Sequence, residues 1–306
     1  MARIVFMGTP GYAQQILAKI CDRGDTFLVV TKPDTPQGRG RRLSSSDVAR
    51  WAQAQGLDLV KPCKLKDLRS QLDAFRPDYI LTAAYGRILP KWLLDLPRFG
   101  SYNLHASLLP RWRGPNPIAW AILAQDEQTG VTLMRMDEGV DTGPIVSQGR
   151  CAIAADDTTA SLADRLAELA AGLWTGALSR WGLTAFPAQP QSTQGVTFAP
   201  KFDADANRVD WTRNAHFLDA HIRSMTPDPG AYTTWHETRL KIWRAQVHSM
   251  TEKWSPGTAV LDGNDWLVGT GMGILRICAI QPAGGRPMSP GAYVRGRSGR
   301  HPWVLS

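Results

Sequence analysis

The chain has 306 residues, a net charge of +8 at pH 7 and a pI near 9.5. This length is typical of two domains of ordinary size, and a hydrophobic fraction of 43% allows a buried core in each. The sequence shows no charged-then-apolar leader and no apolar stretch long enough to span a membrane. We therefore expect a cytoplasmic protein, and the basic charge is consistent with a polyanionic partner.

The cysteines and histidines do not have the spacing of a metal site. The four cysteines stand singly, without a Cys-x-x-Cys pair. His216 and His221 are five residues apart, whereas a helical metal pair is spaced i, i+4. We expect reduced thiols and no bound metal.

Apolar strand-like runs alternate with helical segments through the first half of the chain. The predicted strands cover residues 4–7, 27–31, 57–60, 79–82 and 102–104, with helices at 12–22 and 47–55. Such alternation is typical of an α/β fold with a Rossmann-like parallel sheet and helices on its faces. The first turn, Gly8-Thr-Pro-Gly11, lacks the Gly-x-Gly-x-x-Gly fingerprint, which disfavours a dinucleotide site.

Asn103 and His105 lie two residues apart in the last of these predicted strands. Alternate residues of a strand point to one face, so both side chains should project into the same space. An amide and a donating imidazole can stabilise the oxyanion of acyl transfer. Asp141, within Asp-x-Gly-x-Asp-x-Gly at 137–143, could fix the tautomer of His105 and stabilise its charged form. By themselves, however, Asn-x-His is commonly a satisfied polar strand edge and Asp-x-Gly a turn.

The residue types favour direct transfer over a covalent intermediate. Ser107 is close in sequence, but Ser-Leu-Leu-Pro lacks the Gly-x-Ser-x-Gly turn that presents a serine for attack. An attacking α-amine with a pKa of about 8 is roughly 10% neutral at pH 7, so its deprotonation costs about 1.4 kcal/mol. Loss of an oxyanion donor typically costs about 2.7–4 kcal/mol. We therefore expect Asn103 to contribute more to the rate of transfer than His105 and Asp141, which handle the proton.

The composition changes after a long predicted helix at residues 160–181. Residues 184–194 are rich in Pro, Gln, Ser and Thr, which indicates a linker. A short helix is predicted at 215–224, and strand-like runs at 240–243, 258–261, 266–270 and 274–279 are separated by Gly, Asp and Pro. This pattern predicts a small C-terminal β-barrel.

From Asn103 to Gly143 the chain resembles the folate-dependent formyltransferases. These enzymes carry Asn-x-His, Ser-Leu-Leu-Pro, Arg-Gly, Thr-Gly-Val-Thr and Asp-x-Gly in this order, as does this chain. The resemblance implies that Asn103, His105 and Asp141 are catalytic. It also implies that four residues line the folate site, namely Ser107, Leu108, Leu109 and Pro110.

Three further segments are similar to the members of this family that act on methionyl-tRNA. They are Met-Gly-Thr-Pro at 7–10, the Pro-Asp and Gly-Arg-Gly run within 32–43, and Gln-Pro-Ala-Gly at 281–284. The resemblance implies transfer of the formyl group of 10-formyltetrahydrofolate to the α-amino group of methionyl-initiator-tRNA, for translation initiation. We expect a monomer with a formyltransferase domain at 1–184, a linker at 185–203 and a tRNA-binding, OB-like β-barrel at 204–306.

Positive charge is concentrated at Arg39, Arg41 and Arg42, in a glycine-flanked run. A basic run of this kind is often only a solvated surface. Here it coincides with the Gly-Arg-Gly position of the family, so we expect these arginines to bind tRNA.

Three other functions are consistent with parts of the sequence. A formyltransferase for a nucleotide-linked amino sugar shares the core motif but does not need the arginine run. An RNA-binding protein with an inactive formyltransferase fold is opposed by the intact catalytic motif. A nicotinamide oxidoreductase is opposed by the missing glycine fingerprint.

Overall fold

A computed structural model describes residues 1–37, 42–295 and 303–306. The chain forms two compact units that are interleaved in sequence. The first contains residues 1–117, 128–152 and 163–200, and the second contains 118–127, 153–162 and 201–306. The predicted linker residues 185–200 thus belong to the first unit.

The first unit is built around a seven-stranded mixed sheet. Up to residue 152 the described strands are β1 (Arg3–Gly8), β2 (Thr26–Val30), β3 (Thr35–Gln37), β4 (Arg42–Ser44), β5 (Asp58–Val60), β6 (Tyr79–Ala83), β7 (Ser101–His105), β8 (Gln128–Arg135) and β9 (Ile145–Ala152). The sheet order is β5-β2-β1-β6-β7-β8-β9, and β3 pairs with β4 in a separate two-stranded sheet. All pairs from β5 to β7 are parallel, which confirms the predicted Rossmann-like arrangement.

The last two strands extend this sheet in the antiparallel direction, which the sequence patterns did not predict. β8 pairs antiparallel with β7 and with β9. Both Thr129 and Thr132 are buried in β8, so the strand lacks the apolar run by which buried strands are recognised. The loop between β8 and β9 contains the Asp-x-Gly motif.

Helices lie between these strands along the chain and after β9. Up to residue 181 the described α-helices are α1 (Gly11–Ile20), α2 (Asp47–Ala54), α3 (Arg69–Phe75), α4 (Lys91–Leu94), α5 (Pro117–Leu123) and α6 (Thr159–Trp181). The close approach of α1 depends on Gly8, because a Cβ at this position would stand 2.6 Å from the Cβ of Ala13 and 3.0 Å from the carbonyl oxygen of Ala83. Ile4 and Phe6 of β1 are fully buried in the core.

The second unit contains the predicted barrel. Its described elements from residue 201 onward are α7 (Ala215–Met225), β10 (Tyr232–Trp235), β11 (Thr238–Ser249), β12 (Thr258–Asp262), β13 (Asp265–Gly269), β14 (Ile274–Pro282), α8 (Pro290–Val294) and β15 (Trp303–Val304). The strands follow the order β10-β11-β14-β13-β12-β15 and pair antiparallel.

Two backbone hydrogen bonds bring the ends of this six-stranded sheet together. The N–H of Thr234 in β10 donates to the carbonyl of Ser306 at 2.6 Å, and the N–H of Ser306 donates back at 3.0 Å. Ser306 follows β15, so these bonds nearly close the barrel. Its interior holds Ile242, Trp266 and Ile277, and α7 packs against this core. The predicted C-terminal barrel is confirmed.

Within the described ranges, no helix has the length and apolar character needed to cross a membrane. The same residues include no group of three or more His, Cys, Asp or Glu side chains placed to hold a metal ion. All four cysteines are free thiols.

Candidate active site

One carboxylate oxygen of Asp141 lies close to the side chains of both Asn103 and His105. Asn103 and His105 lie on β7, and Asp141 lies in the loop between β8 and β9. The Nδ2 atom of Asn103 is 3.3 Å from Oδ1 of Asp141, and Nδ1 of His105 is 3.5 Å from the same oxygen. The structure therefore brings together the three residues that the sequence predicts to be catalytic.

The amide of Asn103 has a defined orientation. Thr82, on the neighbouring strand β6, places its hydroxyl oxygen 2.8 Å from Oδ1 of Asn103. The hydroxyl can donate to Oδ1, and the carboxylate of Asp141 can only accept, so the amide nitrogen must face Asp141. An amide nitrogen has two N–H groups, and the bond to Asp141 uses one of them.

His105 is buried, and its ring is oriented by a backbone carbonyl. Its Nε2 atom is 2.8 Å from the carbonyl oxygen of Trp112. A carbonyl only accepts, so Nε2 must carry the hydrogen, and the neutral ring then has its lone pair on Nδ1. From the sequence we expected Asp141 to fix the tautomer; in the structure the shorter contact is that of Nε2 with the carbonyl of Trp112, and Asp141 lies beside Nδ1.

The carboxylate of Asp141 is itself held on both sides. Oδ1 faces Asn103 and His105, and Oδ2 accepts a hydrogen bond of 2.8 Å from the N–H of Gly114. A glycine is required there, because φ is +124° and a Cβ would stand 2.7 Å from the carbonyl oxygen of Ala199. The loops of residues 110–116 and 137–144 are thus joined at the carboxylate.

The turn at residues 107–110 uses its polar groups to hold itself together. The hydroxyl of Ser107 donates to the backbone carbonyl four residues later at 2.6 Å, and the carbonyl of Ser107 accepts from the hydroxyl of Thr132 at 2.7 Å. Ser107 and Leu109 are buried, while Leu108 and Pro110 are partly exposed. Of these four predicted folate-site residues, Leu108 and Pro110 offer the apolar surface that a ligand can touch.

A segment that the sequence predicts to be part of a linker contacts this site. We call residues 189–199 the strap. Its residue Gln191 donates from Nε2 to the carbonyls of Asp141 and Gly143, each at 2.8 Å, and its Oε1 accepts from Nη2 of Arg113 at 2.7 Å. The polar composition that predicted a linker carries no sign of these contacts, which span about 50 residues of sequence.

The strap also holds the loop that orients His105. The hydroxyl of Thr197 accepts from the N–H of Trp112 at 2.9 Å, and the carbonyl of Thr197 accepts from the N–H of Arg113 at 2.9 Å. The two ring nitrogens of His105 face the carbonyl of Trp112 and the carboxylate of Asp141. The strap contacts both of the loops that carry these groups.

Two clefts border the loop of residues 137–144. One, of about 570 Å³, includes Arg113, Thr142 and Gln191 in its wall. The other, of about 470 Å³, is lined by Lys91, Leu94, Asp95, Met136, Asp137, Glu138 and Gly139.

The predicted tRNA-binding arginines are only partly within the described structure. Arg39 and Arg41 lie outside the described residues, and Arg42 begins β4. Lys61, a basic residue that follows this run in the sequence, forms an ion pair with Asp34, with 2.7 Å between Nζ and Oδ1. The hydrogen bond from Lys61 holds the pKa of the Asp34 carboxyl below its usual value.

The sequence of this chain matches models of a known protein family. Residues 2–178 match the model described as formyl transferase, and residues 201–298 match the model described as formyl transferase, C-terminal domain. This chain belongs to the formyl transferase family. The predicted resemblance is thus confirmed, and the protein is an enzyme that transfers a one-carbon group.

Relatives named methionyl-tRNA formyltransferase match nearly the whole chain. The protein from Dechloromonas aromatica is 42% identical over 297 residues, covering 96% of this chain and 95% of the relative. The one from Myxococcus xanthus is 41% identical, with coverage of 99% and 98%. The one from Halorhodospira halophila is 43% identical, with coverage of 97% and 96%.

Solved structures share the fold at lower identity. Methionyl-tRNA formyltransferase from Clostridium thermocellum has a TM-score of 0.60 at 15% identity, covering 81% of this chain and 94% of that one. HypX from Aquifex aeolicus in complex with tetrahydrofolic acid gives 0.69 at 18%, where 99% of this chain spans half of the larger HypX chain. The sugar 3N-formyl transferase WlaRD gives 0.67 at 16%, with coverage of 92% and 98%.

Proposed function

We propose that this enzyme transfers the formyl group of 10-formyltetrahydrofolate to the α-amino group of methionine on initiator tRNA, preparing it for translation initiation. It acts in the cytoplasm as a monomer. The proposal rests on the convergence of Asn103 and His105 on Asp141, in a chain that matches methionyl-tRNA formyltransferases through both of its family regions.

Asn103 stabilises the charge that develops on the formyl oxygen. Its Nδ2 donates one hydrogen to Asp141, and the second hydrogen is the donor for the oxyanion. The contact to Thr82 fixes the amide before the substrates arrive, and preorganised donors of this kind contribute about 2.7–4 kcal/mol.

His105 and Asp141 manage the proton of the attacking amine. When the amine nitrogen bonds to the formyl carbon, its proton passes to the lone pair on Nδ1 of His105. The resulting imidazolium lies beside Oδ1 of Asp141 and donates from Nε2 to the carbonyl of Trp112, so both ring nitrogens face acceptors. His105 then returns the proton to the leaving nitrogen as the old C–N bond breaks.

The residues near this centre fit a folate. The partly exposed Leu108 and Pro110 are apolar, and the cleft of about 470 Å³ combines the apolar Leu94 and Met136 with backbone and carboxylates of residues 137–139. Flat heteroaromatic ligands are held by such apolar walls with a few oriented polar groups. We assign the folate to this cleft and to the turn formed by Ser107, Leu108, Leu109 and Pro110, with the formyl group supplied at Asn103.

The arginine run of Arg39, Arg41 and Arg42 binds the acceptor end of the tRNA. The net charge of +8 favours association with a polyanion, and Arg42 belongs to the first unit, which also contains the catalytic residues. Lys61 has its charge compensated by Asp34, which reduces its own attraction for a phosphate.

A second candidate acceptor is a nucleotide-linked amino sugar, because a sugar formyltransferase shares the fold. The test is to incubate the enzyme with formyl-folate and, separately, charged initiator tRNA, charged elongator tRNA and the amino sugar. The proposal expects N-formylation of the initiator methionyl-tRNA. Formylation of the amino sugar with no product on tRNA would overturn it.

A further inference from the structure

The side-chain amide of Gln191 donates two hydrogen bonds and accepts two, which is all that it can form. Its Nε2 donates to the carbonyls of Asp141 and Gly143, each at 2.8 Å. Its Oε1 accepts from Nε of Arg113 at 3.1 Å and from Nη2 at 2.7 Å. Carbonyls only accept and a guanidinium only donates, so the side chain of Gln191 has one orientation here.

The backbone that Gln191 holds has a left-handed conformation, which is uncommon for residues other than glycine. Asp141 has φ of +54°, in the left-handed region that is disfavoured for residues with a Cβ. The flanking residues Val140 and Thr142 are exposed, so burial does not hold this part of the loop. The two bonds from Gln191 fix the peptide planes that follow Asp141 and Gly143, and hence the direction in which the carboxylate of Asp141 points.

The other end of Gln191 reaches the loop that contains the remaining partners of the site. Arg113 lies between Trp112, whose carbonyl binds His105, and Gly114, whose N–H binds Asp141. One side chain therefore connects the loop that carries the carboxylate with the loop that orients the imidazole.

We propose that Gln191 is a positioning residue for formyl transfer, which holds the backbone of Asp141 so that the carboxylate meets Asn103 and His105. Its catalytic part rests on the proposed function. The structural part, which is the placement of Asp141 by Gln191, stands on the contacts alone.

The sharpest variant is Gln191→Glu, which keeps the shape and the contact to Arg113 but removes both donors to the carbonyls. Gln191→Ala removes every contact. We expect kcat to fall about 10- to 100-fold in both variants, because a small displacement of a catalytic group has an effect of this size, while KM for folate and tRNA changes less than about threefold. Retention of more than about one third of wild-type kcat by folded Gln191→Glu would overturn the proposal.

Gln189→Glu is the matched control. It introduces the same charge two residues away on the strap, its side chain is exposed, and it joins the first unit through backbone hydrogen bonds with Ile145. We expect it to retain wild-type kcat. An equal loss in this control would show that added negative charge, and not the removal of the two donors, lowers the rate.

A double-mutant cycle distinguishes positioning from general support of the fold. If Gln191 acts through Asp141, then Gln191→Ala adds less than about threefold to the loss in Asp141→Asn. Independent losses that multiply would contradict the proposal. The cycle is measured with whichever acceptor the wild type formylates, so an inactive wild type on methionyl-tRNA overturns the proposed substrate and leaves this test intact.

The amide of Gly114 gives a readout without catalysis. Its N–H donates to Oδ2 of Asp141, so displacement of the carboxylate should move its amide proton resonance upfield in Gln191→Glu and Gln191→Ala, in the same direction as in Asp141→Ala, which removes the acceptor. An unchanged Gly114 resonance in folded Gln191 variants would overturn the structural part of the proposal.

Discussion

The active site has a strand half, with Asn103 and His105, and a loop half, with Asp141, and different kinds of structure hold the two in place. Asn103 and His105 lie on β7, which is hydrogen-bonded to β6 on one side and to β8 on the other. Asp141 lies in a loop with a left-handed backbone and depends on side-chain contacts from Gln191 and on the N–H of Gly114. The strand therefore supplies rigid positions, and the loop supplies a carboxylate whose position depends on a distant segment.

This difference predicts that the largest loss of activity comes from the strand half. In Asn103→Ala the donor to the oxyanion is removed while the pairing of β7 is kept. We expect kcat to fall about 10²- to 10³-fold with an unchanged melting temperature, measured by single-turnover formylation and thermal unfolding. A fall of less than about threefold in the folded variant would remove Asn103 from the mechanism.

The same difference explains how far the sequence could predict the site. Asn103 and His105 could be paired from the sequence because a strand has a fixed two-residue period. Asp141 followed from family motifs and not from geometry, since its placement depends on a loop. Gln191 and Thr197 could not be found, because hydrogen bonds from a polar segment to distant carbonyls have no periodic pattern in sequence. The orientation of His105 was also missed, because a backbone carbonyl is present at every position and carries no sequence signal.

The fold shows the same limit. The parallel strands and the barrel strands were predicted from apolar runs and turn residues, whereas β8 was missed because Thr129 and Thr132 are buried within it. Their hydroxyls interrupt the apolar pattern of a buried strand, and Thr132 uses its hydroxyl to hold the turn after β7.

The next prediction tests whether the two halves act as one unit. His105→Ala and Asp141→Asn should each lower kcat by about 10- to 100-fold, less than Asn103→Ala, because deprotonation of an α-amine at pH 7 costs only about 1.4 kcal/mol. The double variant should lose about as much as the more damaging single variant, because Asp141 acts through His105. Steady-state and single-turnover kinetics of the four proteins measure this, and losses that multiply would separate the two residues.

A smaller effect is expected outside both halves, at the arginine run. Replacing Arg41 and Arg42 together by alanine should weaken tRNA binding and lower the salt slope by roughly 0.7–0.9 log unit for each phosphate that is no longer neutralised, with folate affinity unchanged. Arg39→Lys keeps the charge but loses the planar guanidinium, so it should still impair formylation. Measurements of tRNA binding at several salt concentrations and of single-turnover formylation check this. If all these variants bind and formylate tRNA like the wild type, the arginines are only solvated surface residues.

The most direct test of this account is the location of the hydrogen on the neutral ring of His105. Nitrogen-15 NMR of histidine-labelled enzyme, assigned with His105→Gln, distinguishes the two ring nitrogens by their chemical shifts. The contact of 2.8 Å to the carbonyl of Trp112 predicts a protonated Nε2 and a lone pair on Nδ1, facing Asp141. A neutral ring protonated on Nδ1 would contradict the account, because His105 could not then accept the proton of the amine at the nitrogen that Asp141 supports.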